Sequence, residues 1–331
     1  MKNNTLIGPW VRRFLLGYLI NERNLSTNTQ TSYRDMLILL LPYAAKYLKK
    51  SIDRLAVTDL SPVLLREFLT HLEHKRSCCP STRNQRLGAL HALARFIGEN
   101  SPEHVEWCAQ VRLIPFKKTG QQTLTYLEKP EIKELLASPD RSNPLGNRDY
   151  TMLLFLYNSG ARASEAARLK ISDIDWYAQF VKILGKGNKQ RTCPLWPITM
   201  EQLRFITVNR GPEQRVFLNR NGQHITRFGI HTLVDRHASR AAKKMQSLVH
   251  KHVSPHVIRH TTATHLLRAG VDINTIRAWL GHVSINTTNI YAETDIETKA
   301  RALATCIPGA EKTKAIPWRQ QPELMEFLRG L

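Results

Sequence analysis

Ser254-Pro255-His256-Val257-Ile258-Arg259-His260 is followed by Leu280-Gly281-His282 and, nine residues further on, by Tyr291. Ser254 is placed as an N-cap and Pro255 suits a first helical turn, so His256, Arg259 and His260 fall at i, i+3 and i+4 of one helix. Two of them then face one phosphate together. Arginine suits that task because its charge is permanent and its planar fork donates two parallel hydrogen bonds to nonbridging oxygens. An HxxRH pattern alone is more often an ordinary surface helix; its weight comes from what surrounds it.

The bulk composition agrees with a polyanionic partner. Among 331 residues, Lys plus Arg is 48 against 27 for Asp plus Glu, a formal charge of +21. Such an excess draws a protein onto nucleic acid by counterion release, the alternatives being a merely basic soluble protein or one lying on acidic lipid. No uninterrupted apolar run reaches the roughly 18 to 20 residues of a membrane span. Met1-Lys2-Asn3-Asn4-Thr5 leads into a helix broken by Arg12 and Arg13 without a cleavage pattern, so a cytoplasmic, nucleoid-associated protein is expected. Five cysteines, an odd count, suit reduced thiols. The cluster His250, His252, His256, His260 and His265 raises a zinc reading, but it has no HExxH glutamate or Cys pair, so no metal is expected.

The length favours two domains. Residues 1–100 read as a helical domain. Phe14, Leu15, Tyr18 and Leu19 line its first helix, and Ser26 or Thr27 caps a second bearing Tyr33, Met36, Leu37 and Leu40. Ser61-Pro62 opens a third, with Leu64, Leu65, Phe68, Leu69 and Leu72 inward; a fourth follows Pro80 and turns Leu87, Leu90, Leu93, Ala94 and Ile97 inward. Arg34, Arg83, Asn84 and Arg86 stand on these helices; singly each is more often solvated surface, but together they are candidates for phosphate contact. Residues 101–123, with Pro102, Pro115, Lys117, Lys118 and Gly120, lack periodicity and read as a basic linker.

Residues 124–307 read as a second domain. An apolar helix covers Tyr150–Tyr157 and stops at Ser159-Gly160, and a short one spans Ser164–Leu169. Phe180–Leu184 and Arg191–Leu195 are expected to pair as a hairpin around Gly185-Lys186-Gly187. Helices follow over about 226–244, 255–269, 273–280 and 285–291, with Gly270 and Gly281 as C-terminal stops. The fold class is therefore mainly α with a small β-sheet. Residues 308–331 form a tail whose Leu324, Phe327, Leu328 and Leu331 recur at helical spacing, for packing on its own domain or on a neighbouring protomer.

The polar residues of the second domain form a constellation. Arg162 follows Gly160 at a helix start, where amides and macrodipole favour an anion, and Glu165 is placed to brace it. Lys186 at the hairpin tip can deliver a proton to a departing oxygen, with Lys189 and Arg191 touching backbone phosphate. Tyr291, in the polar Asn286–Ile290 context, has a phenol of ordinary pKa about 10 and needs a base or a cationic site to become a nucleophile. His256 can accept that proton, and His282 can orient phosphate or phenol.

In order and spacing, Gly160–Glu165, Leu184–Arg191, Ser254–His260 and Leu280–Tyr291 resemble the tyrosine recombinases, the phage-integrase-type site-specific recombinases. The resemblance covers about 124–305, and more loosely the N-terminal helices, which resemble the family's SAM-like core-binding domain. All six of the family's catalytic positions are filled. The resemblance implies that Arg162, Arg259 and His282 activate the scissile phosphate. Lys186 protonates the leaving 5′ oxygen, His256 is acid and base, and Tyr291 is the nucleophile. It implies a 3′-phosphotyrosine intermediate, a Holliday junction, no metal or other cofactor, and a catalytic domain that breaks and rejoins DNA. The partners implied are double-stranded DNA with inverted-repeat core sites and a synaptic tetramer. It also implies a clamp formed by both domains around the duplex. No separate arm-binding domain is expected ahead of Pro9. Integration, excision or transposition of a mobile element is the expected role; dimer resolution by the same chemistry and a type IB-like topoisomerase are the alternatives.

Overall fold

A computed structural model of the protein describes residues 5–120, 124–185 and 189–281. The chain divides into two compact units, Met1–Gln121 and Gln122–Leu331. Helices dominate both, and one three-stranded sheet lies in the second.

In the first unit, α1 (Ile7–Arg12) runs on as a π-helical segment, Arg13–Glu22. It is followed by α2 (Thr27–Leu48), α3 (Pro62–His74) and α4 (Pro80–Asn100). Ser61 Oγ accepts from the Leu64 amide at 3.3 Å with Pro62 in the first turn, the capping arrangement that the sequence predicts. Ser26 precedes α2, but its hydroxyl meets Thr29 Oγ1 and caps no amide. The apolar stripes converge on one core: Phe14, Leu19, Met36, Leu40, Phe68, Leu72, Leu93 and Ile97 are all buried in it.

The stretch expected to be a linker is built into this unit instead. A 3-10 turn, Pro102–His104, leads into α5 (Val105–Arg112), which buries Trp107, Cys108 and Val111 in the core, as does Ile114 beyond it. Trp107 Nε1 donates to the Leu60 carbonyl at 2.9 Å. Eight residues give barely two turns, so the short apolar stripe between Pro102 and Pro115 escapes a periodicity search. The chain after α5 is tied to α4: Arg83 Nη1 donates to the Pro115 carbonyl at 2.9 Å, and Asn84 exchanges hydrogen bonds with the Lys117 backbone at 2.7 and 3.0 Å.

The second unit starts with α6 (Lys129–Ala137), α7 (Pro144–Ser159) and α8 (Ala163–Arg168). Strands β1 (Ile174–Asp175), β2 (Phe180–Leu184) and β3 (Gln190–Pro194) form an antiparallel sheet in that order. The register sets Val181 against Cys193 and Ile183 against Arg191. Then come α9 (Pro197–Thr207), without an expected counterpart, α10 (Arg227–Ala242), α11 (Pro255–Arg268) and α12 (Ile273–Leu280). α7 is the central helix, buried along nearly its whole length, and Thr262 on α11 donates to its Tyr157 carbonyl at 2.7 Å. Gly270 and Gly281 both adopt positive φ, +85° and +65°, and end α11 and α12 as the sequence predicts. The helix expected at Ile285–Tyr291 and the tail helix lie outside the described residues.

Candidate active site

Three polar groups meet at the start of α8. Arg162 occupies the N-cap position, and Glu165 reaches back: its Oε2 accepts from the Arg162 amide at 2.9 Å and its Oε1 from Arg162 Nη1 at 2.7 Å. The bracing of Arg162 by Glu165 is therefore present. The expected anion site at the helix start is not, because the carboxylate of Glu165 itself occupies the Arg162 amide. Arg162 Nε and Nη2 have no hydrogen-bond partner among the described residues, and 30% of the side chain remains exposed.

Glu165 holds a second cation. Arg191 Nη2 donates to its Oε2 at 2.8 Å, and Arg191 Nε donates to the Trp279 carbonyl at 2.9 Å. The side chains of Arg191 and Glu165 are 8% and 4% exposed, so Arg191 is an interior ion-pair partner rather than the phosphate contact expected of it. Burial alone would push the Glu165 carboxyl up, but Arg191 first and then Arg162 hold it below the usual range. The cue lay in strand alternation: Arg191 and Cys193 lie two apart on β3, and Cys193 is fully buried, so Arg191 shares the inward face.

Arg259 on α11 is buried, 3% exposed. Its Nη1 donates to the Gly160 carbonyl and its Nη2 to the Leu280 carbonyl, both at 2.6 Å. Two of its five N–H groups thus tie together the turn that precedes Arg162 and the end of α12 that precedes His282. Gly160 is left-handed at φ +58°, and a Cβ there would lie 2.5 Å from Leu280 Cδ2, so close approach and backbone both require glycine.

Ser254 caps α11 as expected, its Oγ accepting from the Val257 amide at 3.4 Å. His256, one turn before His260, is exposed. Crowding by neighbouring atoms first, then the charges of Arg259, His231 and Arg162, hold its pKa below the usual value, favouring a neutral imidazole able to accept a proton. His260 is pushed down further, to about 4, by burial and then by His256 and Arg259. The field of Arg162 and Arg259 at His256 places these three predicted site residues in one neighbourhood.

Beside them a cleft of about 640 Å³ opens between the hairpin and α12, with Gly185, Lys189, Arg191, Thr275, Arg277 and Gly281 in its lining. Gly185 donates its amide to the Lys189 carbonyl at 2.8 Å, closing the hairpin on either side of its tip, and Lys189 is exposed. Lys186, His282 and Tyr291 lie outside the described residues.

The candidate DNA contacts of the first unit divide. Arg83 is 6% exposed and engaged with Pro115 and Asn84, so it and Asn84 hold the backbone after α5 rather than face a duplex. Arg34 is exposed beside Asp35, Arg86 is half-buried, and Lys117 and Lys118 are exposed, Lys117 pairing with Glu73 at 2.7 Å. Among the described residues no group of three or more His, Cys, Asp or Glu side chains is disposed to hold a metal ion, and no helix is long and apolar enough to cross a membrane.

A small helical unit ahead of a mixed unit that gathers Arg162, His256 and Arg259 around a hairpin is the architecture of a DNA strand-breaking and rejoining enzyme of the tyrosine-recombinase class. The phage integrase family matches residues 125–297, and the SAM-like N-terminal domain of phage integrases matches residues 12–99. A protein of Sinorhizobium fredii described as an integrase/recombinase, y4rC, is 34% identical over 334 residues, covering 100% of both chains. The tyrosine recombinase XerC of Pelobacter propionicus is 32% identical, over 87% of this chain and 91% of that one. Among solved structures, the XerH site-specific recombinase bound to a palindromic difH substrate shares the fold, with a TM-score of 0.66 at 22% identity, over 86% of this chain and 81% of that one. The chain belongs to the phage integrase family.

Proposed function

We propose that the protein is a site-specific recombinase that moves a mobile element by integration, excision or transposition. In this reading the Tyr291 oxygen attacks the scissile phosphorus, the bond to the 5′ oxygen breaks, and Lys186 supplies that oxygen's proton. His256, held neutral, takes the phenol proton, while Arg162, Arg259 and His282 bind the phosphate. The 3′-phosphotyrosine keeps the energy of the broken bond. A 5′ hydroxyl from a partner strand can then reverse the attack through a Holliday junction, within a synaptic tetramer on inverted-repeat core sites. The chemistry draws on no metal or nucleotide, and its place is the nucleoid.

The observation that carries this reading is Arg162. Its guanidinium is oriented by a buried carboxylate through Nη1, while Nε and Nη2 point to no partner among the described residues, an arrangement suited to a bidentate phosphate. Support for the role comes from y4rC and from the Tn1549 transposon integrase, solved with transposon right end DNA, which shares the fold with a TM-score of 0.66.

Covalent protein–DNA adducts recovered from cells making the wild type or Tyr291→Phe, with the attached ends sequenced, test it. Adducts at a few inverted-repeat sites, missing from the variant, are expected. Scattered adducts would point to a topoisomerase, and none in either strain would sink the catalytic reading.

A further inference from the structure

We infer that Arg191 is a positioning residue for strand cleavage, setting the Arg162 guanidinium through Glu165 and locking the β2–β3 hairpin to the end of α12. The inference rests on the reading of Arg162 and Tyr291 given above. Its basis is one unbroken chain of charge-assisted hydrogen bonds. The Trp279 carbonyl accepts from Arg191 Nε at 2.9 Å, Arg191 Nη2 meets Glu165 Oε2 at 2.8 Å, and Glu165 Oε1 meets Arg162 Nη1 at 2.7 Å.

Each link is sterically enforced. Arg191 stands opposite Ile183 and two residues from the buried Cys193, so its side chain leaves β3 on the inward face. Gly281 covers it: a Cβ on that residue would lie 3.1 Å from Arg191 Cδ. Gly185 flanks it on the other side, where a Cβ would lie 3.7 Å from Arg191 Nη1. The two glycines immediately precede Lys186 and His282 in sequence. One buried guanidinium therefore fixes the points from which both of those residues depart, as well as the carboxylate that aims Arg162.

Without Arg191, Glu165, which is 4% exposed with both cations in place, keeps one cation instead of two. Its charge then falls wholly on Arg162, drawing that guanidinium away from a phosphate, and α12 loses its anchor to the sheet. Cleavage suffers while the DNA grip stays, because the Arg191 side chain is 8% exposed and spends its Nε and Nη2 on Trp279 and Glu165.

The test compares wild type, Arg191→Met, Arg191→Lys, Arg191→Met with Glu165→Gln, and Tyr291→Phe in cells. Formaldehyde cross-linking reads DNA occupancy, and adducts recovered without cross-linker read covalent cleavage, both per amount of soluble protein. Arg191→Met is expected to keep occupancy within about twofold and lose adducts at least tenfold. Arg191→Lys, which keeps the pairing charge but not the second bond to Trp279, is expected to recover part of that loss. The double variant should be no worse than Arg191→Met, since both changes cut the same chain. If Arg191→Met fails to accumulate as soluble protein, Arg191→Lys carries the comparison, with a several-fold adduct loss at unchanged occupancy. Undiminished adducts, or occupancy that falls in step with adducts, would overturn the inference, the latter by making Arg191 a direct phosphate contact. Wild-type adducts that persist in Tyr291→Phe, or no wild-type adducts at all, would overturn the underlying site reading instead.

Discussion

Arg259 Nη2 donates to the Leu280 carbonyl at 2.6 Å, so the helix that carries His256 is tied to the last residue of α12 from inside the protein. The same guanidinium holds the Gly160 carbonyl. Arg259→Gln cannot span both acceptors, and each buried carbonyl left without its donor costs about 1–3 kcal/mol. Adduct formation is expected to vanish and the melting temperature of the second unit to fall by several degrees. A variant that melts like wild type would mean that the two carbonyls are satisfied without Arg259.

Gly160→Ala places a methyl group against Leu280 Cδ2 in a left-handed backbone. About 1–2 kcal/mol of backbone strain adds to the overpacking cost, so a loss of roughly 2–4 kcal/mol is expected. Urea unfolding of the purified variant measures it. A parallel Leu280→Ala change removes the clash and should restore part of the adduct yield that Gly160→Ala loses.

His265 is 3% exposed, accepts or donates at Nδ1 to the Tyr157 hydroxyl at 2.8 Å, and has its pKa pushed down to about 4, chiefly by burial. In the unfolded chain it titrates near 6.5, so between those values the unfolded state binds the extra proton. Stability from this group is thus complete above about pH 7 and lost as the pH falls toward 4, by about 2 kcal/mol between pH 7.5 and 5. Urea midpoints at the two pH values, for wild type and His265→Gln, check this. The variant should lose that share of the dependence, and an equal slope in both proteins would contradict it.

Cys79 is exposed just before α4, and hydrogen bonds from Thr82, side chain first and then backbone, lower its pKa. Cys193 is buried and pushed up to about 12. Iodoacetamide at neutral pH is therefore expected to label Cys79 well ahead of Cys108 and Cys193, as peptide mass spectrometry after short exposures would show. Early labelling of Cys193 would mean that the sheet opens readily.

Trp107 contributes its ring to the first core and its Nε1 to the Leu60 carbonyl. Trp107→Ala should cost about 3–5 kcal/mol, enough to unfold a marginal unit. Loss of the cooperative transition of that unit in calorimetry is the expected outcome. A wild-type transition would return the segment to a linker.

The sequence makes the helices legible where caps and stripes coincide. Ser61-Pro62, Ser254-Pro255, Gly270 and Gly281 mark their boundaries because each acts through local backbone chemistry. The hairpin and the brace between Glu165 and Arg162 are legible for the same reason, being contacts three to fourteen residues apart. Arg83 and Arg191 are not, because a basic residue looks alike on a surface and in an interior until its distant partners are known. Those partners are Pro115, 32 residues from Arg83, and Trp279, 88 residues from Arg191. α5 hides for a different reason: its three core side chains fall in a segment too short for periodicity and framed by prolines.

The position of α5 bears on how relatives of this protein can exchange parts. The SAM-like domain signature ends at residue 99, but the core it belongs to continues through Trp107, Val111 and Ile114. A chimaera joined at residue 100 would carry off α4 while leaving its cover behind, uncoupling Trp107 from Leu60 and His104 from the Trp10 ring. A junction placed near residue 120 moves the whole packed body. The portable cassette is thus some twenty residues longer than the motif by which it is recognised.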